Sequence, residues 1–345
     1  SVLMAVSVIA GLLGTSWQAM VATQAEQRAL LHQAQSERNL DTALLAMEKL
    51  LAHLGNPGLA EIPELQETFE KVIDDAIVLY DRFTSAHGTP PQLQYRAARV
   101  FELLARLAHD SLESSKAAET HAKAIALADR LVEQDPSRIE YRELQASVYL
   151  SSGSFYRQRQ YLFSDGTERA LRDLQHAISL YQSLSLSQPG NKEYPAQEAD
   201  ALLQLSGLRK AIDPKDPRVI ELAQRGYDLS ERAVASPHAP RVLANALLAT
   251  DKTRADELYR QSLTRYRSQS DKATRKDREN FAWACYQVAN KFEHRHPEEA
   301  EELWREAVDL YSQLCRDFPS AAKCARGLMM VVEDFGLYLT RHHRE

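Results

Sequence analysis

The residues most able to do chemistry in this chain are its paired carboxylates, and their spacing argues against catalysis. Asp74 and Asp75 are adjacent, and so are Glu298 and Glu299, in segments with helical periodicity. Catalytic carboxylates converge across a cleft, whereas neighbours on a helix point in different directions. Glu298 and Glu299 directly follow a proline, in the first turn of a predicted helix, where the dipole stabilises acids. We therefore predict structural roles for these residues.

The histidines and cysteines also lack the spacing of a metal or catalytic site. None of the 11 histidines forms a His-Glu-x-x-His motif. His294 and His296 stand at a predicted helix end, where cations interact well with the helix dipole. Cys285, Cys315 and Cys324 form no Cys-x-x-Cys pair, and three sparse cysteines make no disulfide framework. They are typical of small buried hydrophobes.

Other chemical signatures are missing as well. No Gly-x-Ser-x-Gly elbow, phosphate-binding loop or dinucleotide fingerprint occurs, and Ser152-Gly153-Ser154 resembles a helix interruption. The net charge is -6, and the basic stretch 254–278 also contains acids, which is typical of a solvated helix surface. The sequence therefore predicts no catalytic residue, metal, cofactor, nucleic acid or small-molecule substrate for this chain.

The composition predicts the elements that must position any binding residue. The chain has 345 residues and is 44% hydrophobic, with only 12 glycines and 13 prolines. The prolines cluster between segments of helical periodicity. A long chain with few turn residues and no strand-like alternation is predicted to be all-α.

Internal repetition is the strongest pattern. Residues 124–136, 177–189 and 307–319 each begin with Ala and a β-branched residue, carry Leu at three and seven positions after the Ala, and end in Pro at twelve. A small Ala lets helices approach closely, the larger side chains fill the groove, and the Pro stops the helix. One helix pair cannot bury its apolar face alone, so stacked pairs are expected. We predict pairs at 92–135, 138–187, 193–235, 239–268 and 276–316, and a closing helix at 320–340.

The segment 65–340 resembles the tetratricopeptide repeat (TPR) family through these Ala and Pro spacings. The Trp–Leu–Gly–Tyr signature of the first TPR helix is mostly missing, and the interval between Pro136 and Pro189 exceeds the usual repeat of about 34 residues. The resemblance implies a right-handed α-solenoid of helix pairs that binds proteins. Divergent TPR and another helical-pair solenoid both remain open.

The beginning of the chain is apolar. Residues 2–13 are uncharged and apolar, and Trp17 would suit a membrane interface. We predict a truncated transmembrane helix at 1–22, a juxtamembrane helix and linker at 23–62, and a TPR-like domain at 63–345. A signal peptide or a buried helix are the alternatives. Weak positive charge after the apolar segment favours a single-pass protein with its repeats on the non-cytoplasmic side.

The order of these segments resembles the region after the kinase domain in bacterial membrane-anchored serine/threonine protein kinases. Residues 11–19 and 51–83, with the repeats, carry the resemblance. It implies a non-catalytic docking or sensory region, with ATP and Mg only in an upstream kinase domain. No kinase motif precedes Asp334-Phe335-Gly336, which spells the metal-binding tripeptide inside the last predicted helix by coincidence. The alternative is a stand-alone membrane-tethered TPR scaffold or assembly factor.

Protein binding would use the first helices of the pairs, because these usually line the inner face of a solenoid. Tyr, Trp and Arg are the side chains that most often dominate binding energy. The sequence therefore predicts these partner-binding residues: Arg99, Arg106, Arg142, Tyr149, Arg157, Trp283 and Tyr286.

Overall fold

The computed structural model describes residues 74–82, 84, 90–110, 114–269, 273–319 and 322–342, with isolated helical residues at 49 and 71. Contacts divide the chain into units at 1–53 and 54–345, and the helices below belong to the second unit. Helices joined by short turns make up the described part, which contains no strand. The all-α prediction is confirmed.

Between residues 91 and 342 the described chain forms eleven α-helices. They are α1 (Pro91–Asp110), α2 (Ser114–Gln134), α3 (Ile139–Arg159), α4 (Gly166–Ser187), α5 (Glu193–Ile212), α6 (Arg218–Ala233), α7 (His238–Leu247), α8 (Lys252–Ser268), α9 (Arg275–Phe292), α10 (Pro297–Asp317) and α11 (Ala322–His342).

The helices stack as antiparallel pairs. Each helix packs mainly on its neighbours in the chain, and α1, α3, α5 and α7 also contact one another in succession. These first helices therefore form one layer and the second helices another, as in a helical-repeat solenoid. The five predicted pairs and the closing helix are confirmed. The long interval between repeats reflects long helices, since α3 has 21 residues and α4 has 22.

The repeated motif is buried as its spacing predicts. Its first Ala and its second Leu are fully buried in all three copies: Ala124, Ala177, Ala307, Leu131, Leu184 and Leu314 are each 0% exposed. Each of the three helices ends within two residues of its proline. The motif therefore places a small residue where two helices meet and fills the remaining groove with Leu.

The closing helix α11 corrects one detail of the sequence analysis. The apolar pattern predicts that Leu328, Val331, Val332, Phe335 and Leu339 face inward, but Val332 is 50% exposed. Adjacent helical residues point about 100° apart, so Val331 and Val332 cannot both face α10. Tyr338 is buried instead, one residue from Leu339.

The predicted helix interruption at Ser152-Gly153-Ser154 is also wrong. Helix α3 runs without a break from Ile139 to Arg159. A Cβ added at Gly153 would lie 2.8 Å from Leu174 Cγ and 3.0 Å from Leu174 N, in α4. Glycine is therefore required because the two helices approach closely there, and not because the chain turns.

We expect Gly153→Ala to lower the free energy of unfolding by about 1–2 kcal/mol, because overpacking outweighs the better helix propensity of alanine. Gly207 in α5 is the matched control, since a Cβ there would meet no other atom within 4 Å. Gly207→Ala should stabilise the protein by about 0.5–1 kcal/mol. Urea titrations followed by circular dichroism measure both changes. If the free energy of unfolding changed with the same sign in both variants, the close approach of α3 and α4 at Gly153 would be contradicted.

The predicted membrane helix at 1–22 and the linker at 23–62 lie outside the described residues, apart from the single position 49. Among the helices that the structure describes, none combines the length and apolarity needed to cross a bilayer. The handedness of the superhelix stays a prediction.

Candidate functional site

The layer of first helices contains a cavity of about 600 Å³, here named the first-helix recess. Four successive first helices line it: α3, α5, α7 and α9. The lining residues are Arg157, Leu203, Gln204, Ser206, Gly207, Lys210, His238, Arg241, Val242, Asn245, Ala246, Trp283, Tyr286, Gln287, Asn290 and Lys291. Its volume lies in the range of about 300–1,000 Å³ that is usual for ligand sites. It is the natural candidate for a binding site within the described chain.

Helical periodicity brings these side chains together. On α7, His238, Arg241, Val242 and Asn245 line the recess, at steps of three and four residues. The lining residues of α5 and α9 follow the same steps. Residues at these spacings share one face of a helix, so each helix presents one stripe to the recess.

Arg241 is the most buried charged residue of the recess, at 9% exposed. Its Nη1 donates to Gln287 Oε1, and its Nη2 lies 2.8 Å from His238 Nδ1. Its Nε is buried and has no hydrogen-bond partner in the described chain. Burial lowers the pKa of Arg241. A guanidinium placed this way has hydrogen-bonding capacity that the described residues leave unused.

His238 is neutral in this arrangement. Arginine can only donate, so the contact with Arg241 requires an unprotonated Nδ1 on His238. Burial, and then the positive charges of Arg241 and Arg157, lower the pKa of His238 to about 3. The ring therefore carries its proton on Nε2 at neutral pH.

Arg157 and Lys210 complete this side of the recess with neutral partners. Arg157 Nε donates to Gln204 Oε1 at 3.1 Å, and Gln204 Nε2 donates to Asp200 Oδ2 at 2.8 Å. Lys210 Nζ donates to the carbonyl of Asn245. Burial lowers the pKa of both Arg157 and Lys210, and for Lys210 the nearby charge of Lys291 adds to it.

Trp283 and Tyr286 form the aromatic side of the recess. Their ring centroids lie 5.0 Å apart. The Tyr286 hydroxyl donates to Asp334 Oδ2 in α11 at 2.7 Å, and burial together with that carboxylate raises the pKa of Tyr286 to about 12. Tyr286 therefore stays protonated and is held in place by the closing helix.

The structure brings three of the seven predicted partner-binding residues into the recess: Arg157, Trp283 and Tyr286. It places the other four elsewhere. Arg99 and Arg106 are exposed on α1, beside Tyr95 and Glu102 respectively.

Arg142 and Tyr149 turn towards the second helices. Arg142 Nη2 donates to Ser183 in α4, and the Tyr149 hydroxyl donates to Asp129 in α2 at 2.9 Å. Arg142 and Tyr149 are seven positions apart, which is about two helical turns, so they share a face of α3. Tyr149 and Arg157 are eight positions apart, so their side chains point about 80° apart around the helix. Residue type alone did not distinguish these two faces.

Most of the polar residues of the recess were not among those predicted from the sequence. A second, polar stripe at three- and four-residue steps would have indicated them, because such a stripe on successive first helices predicts a shared face. The missed residues are Gln204, Lys210, His238, Arg241, Asn245, Gln287, Asn290 and Lys291.

A second cluster lies where α9 and α11 end. One oxygen of Glu293 and one ring nitrogen each of His294 and His342 lie within 4.8 Å of one another. Glu293 Oε1 also lies 3.2 Å from Arg341 Nη1. The carboxylate is therefore already neutralised by an arginine, and ordinary ion pairing accounts for the cluster.

Comparisons with known proteins identify similar helical arrangements and no family. No protein-family model matches the chain, and no curated protein matches it significantly. Among solved structures, BtubC (BKLC) from P. vanneervenii is 15% identical, with a TM-score of 0.44, over 78% of this chain and 92% of that one.

Two further solved structures are similar. The assembly chaperone of RpL4 (Acl4) is 13% identical, with a TM-score of 0.45, over 84% of this chain and 99% of that one. TTC0263, a thermophilic TPR protein in Thermus thermophilus, is 18% identical, with a TM-score of 0.33, over 69% of this chain and 98% of that one. All three TM-scores lie below 0.5.

Proposed function

We propose that this protein binds a segment of a partner protein in the first-helix recess. The observation that carries the proposal is the convergence of four first helices on one cavity of about 600 Å³. A cavity of that size takes a few side chains of a bound segment. Stacked helical repeats build the extended surfaces through which solenoids bind their partners.

The chemistry of the recess supports the same function. Trp283 and Tyr286 offer aromatic surface, and Gln287 and Asn290 offer amide groups that can pair with a peptide backbone. Trp, Tyr and Arg are the residues that contribute most to binding energy at protein interfaces. A recess with these groups is suited to a peptide segment.

Gly207→Trp is expected to abolish partner binding, because the indole would project into the recess and obstruct it. Gly207 lines the cavity, and a side chain can start there without a clash. A photo-crosslinking amino acid at Asn290 should trap the partner in cells of the source organism. The same group at Glu257, exposed on the second helix α8, is the reference position. The quantity to measure is the yield of partner crosslinked to position 290, here called the Asn290 adduct. We expect this yield to fall at least about tenfold in the Gly207→Trp variant.

Gly336→Trp in α11 is the matched control. Gly336 is also an exposed helical glycine with no atom within 4 Å of an added Cβ, and it lies outside the recess. The Gly336→Trp variant should give the same yield of the Asn290 adduct as the protein without a tryptophan substitution. Equal adducts from Asn290 and Glu257, or an adduct that survives Gly207→Trp, would contradict the proposal.

The finer proposal is that this binding region belongs to a membrane-anchored serine/threonine kinase, with residues 1–22 crossing the membrane and the repeats on the non-cytoplasmic side. Its support is the resemblance carried by residues 11–19 and 51–83 together with the repeats. The reading frame upstream of Ser1 tests it. A glycine-rich loop, a Lys-bearing strand and a His-Arg-Asp loop there would support it, and a start codon within a few positions would favour the stand-alone scaffold.

A further inference from the structure

We propose that this protein forms a homodimer in which the closing helix α11 packs antiparallel against α11 of a second copy. The surface concerned is an apolar stripe on the outer face of α11, here named the α11 stripe and formed by Ala325, Met329, Val332 and Gly336. It lies outside the first-helix recess, so the inference goes beyond the proposed function.

The α11 stripe has no covering helix in the described chain. Helix α11 packs on α10 and, less extensively, on α9, and it buries Val331 and Tyr338 on that inner face. All four residues of the stripe are exposed, with Met329 at 72% and Val332 at 50%. Exposed apolar side chains that are gathered on one face indicate a contact surface, whereas scattered ones do not.

The spacing of the α11 stripe suits another helix as its occupant. Its residues follow one another at steps of four, three and four positions, which is the spacing of a coiled-coil seam. At about 100° per residue, they lie within a sector only about 60° wide. A seam this narrow is covered by a single neighbouring helix.

The same spacing is symmetric about its centre, between positions 330 and 331. A two-fold axis there would place Met329 against the partner's Val332 and Ala325 against the partner's Gly336. The small residues let the two backbones approach closely, and the larger pair fills the centre of the contact. The stripe is therefore complementary to itself, as a two-fold interface between identical subunits requires.

Arg326 and Glu333 flank the α11 stripe on one side. Both are exposed, and neither forms an ion pair or a hydrogen bond among the residues that the structure describes. They are seven positions apart, about 10 Å along the helix axis, so they are too distant to pair with each other. On the same helix, by contrast, Arg341 Nη1 lies 3.2 Å from Glu293 Oε1.

The proposed dimer pairs these two charges. The two-fold axis reverses the direction of the second helix and keeps the flanking charges of both copies on the same side of the contact. Arg326 then lies beside the partner's Glu333, with about 3 Å between them along the helix axes, and the reciprocal pair forms as well. Flanking ion pairs set partner and orientation in coiled coils. This charge complementarity singles out a second copy as the occupant.

Sedimentation equilibrium of the full chain tests the proposal, in a detergent that is matched to the buffer density and keeps the apolar residues 1–22 in solution. We expect a dissociation constant in the micromolar range, because one helix per copy makes a small interface. Arg326→Glu and Glu333→Arg, made separately, should each weaken the dimer at least about tenfold, because each variant creates two like-charge pairs.

Lys252→Glu is the charge-reversal control, since Lys252 is exposed at the start of the second helix α8. It should change the dissociation constant less than about twofold. Circular dichroism checks that all three variants keep the helical content of the unmodified protein.

A mixture of the two single variants gives the most specific result. The Arg326→Glu chain carries glutamate at both flanking positions, and the Glu333→Arg chain carries arginine at both. Each chain therefore pairs with the other at both positions, and the mixture should form heterodimers about as tightly as the unmodified protein forms homodimers. A purely structural role of either residue within one chain would give no such recovery.

Three results would overturn the inference: a chain that stays monomeric at every concentration, a dimer that both charge reversals leave unchanged, or a mixture of the two variants that stays dissociated. The proposed function is tested separately. Gly336→Trp should disrupt the dimer through its bulk at the close helix contact and keep the Asn290 adduct, whereas Gly207→Trp should keep the dimer and lose the adduct.

Discussion

Trp304→Ala is expected to lower the free energy of unfolding by about 3–5 kcal/mol, the range for removing a large aromatic side chain from a core. Trp304 is 1% exposed and is among the largest fully buried side chains of the described chain. Its ring meets Tyr286 of α9 edge-on at 5.3 Å and stacks with Phe335 of α11 at 6.0 Å. The cavity left by alanine would therefore separate three helices at once.

Trp283→Ala is the matched comparison, since Trp283 is only partly buried and lines the recess. It should cost less than about half as much stability, yet weaken capture of the partner at Asn290. Urea unfolding followed at 222 nm measures the first effect, and crosslinking yield measures the second. If both tryptophans cost the same stability, the division between a folding aromatic and a binding aromatic is wrong.

The second large effect is the loss of stability in acid caused by His238. Its pKa is about 3 in the folded protein, against an ordinary value of 6.5. Between these values the unfolded chain binds the proton and the folded chain does not. The stability that His238 contributes is therefore complete above about pH 6.5 and is lost as the pH falls towards 3. From pH 7 to about pH 4.5, this loss amounts to about 2–3 kcal/mol.

His238→Asn isolates this contribution, because the amide oxygen can still accept from Arg241 Nη2 and cannot take up a proton. The variant should lose about 2–3 kcal/mol less than the unmodified protein over that pH interval. Carboxylates titrate in the same pH range and affect both proteins. The quantity to measure is therefore the difference between the two proteins in the free energy of unfolding lost over this interval, from urea unfolding at both pH values. Parallel losses in the two proteins would show that His238 is not held neutral.

These two predictions concern separate parts of one assembly. Trp304 supports the packing of α9, α10 and α11, and α9 in turn presents Trp283 and Lys291 to the recess. His238 lies in the recess itself, where it must stay neutral beside two arginines. Protonating it would place a further positive charge beside Arg157 and Arg241, so acid should weaken the fold at the proposed binding site.

The amino-acid sequence by itself determined the elements and their pairing. The repeated Ala, Leu and Pro positions predict where helices pack and stop, because those preferences are local: a Pro ends a helix wherever it occurs, and apolar periodicity marks its buried face. The pair boundaries and the burial of Ala124, Ala177 and Ala307 followed from this.

Only the tertiary structure decided which polar residues share a site. Residue type favoured Tyr149 and Trp283 equally, yet one bonds to the preceding second helix and the other lines the recess. Lys210, Arg241 and Lys291 stand tens of residues apart on three helices, and no local preference relates them. Their convergence depends on how far each helix rotates about its axis when it packs, and that is set by contacts between helices.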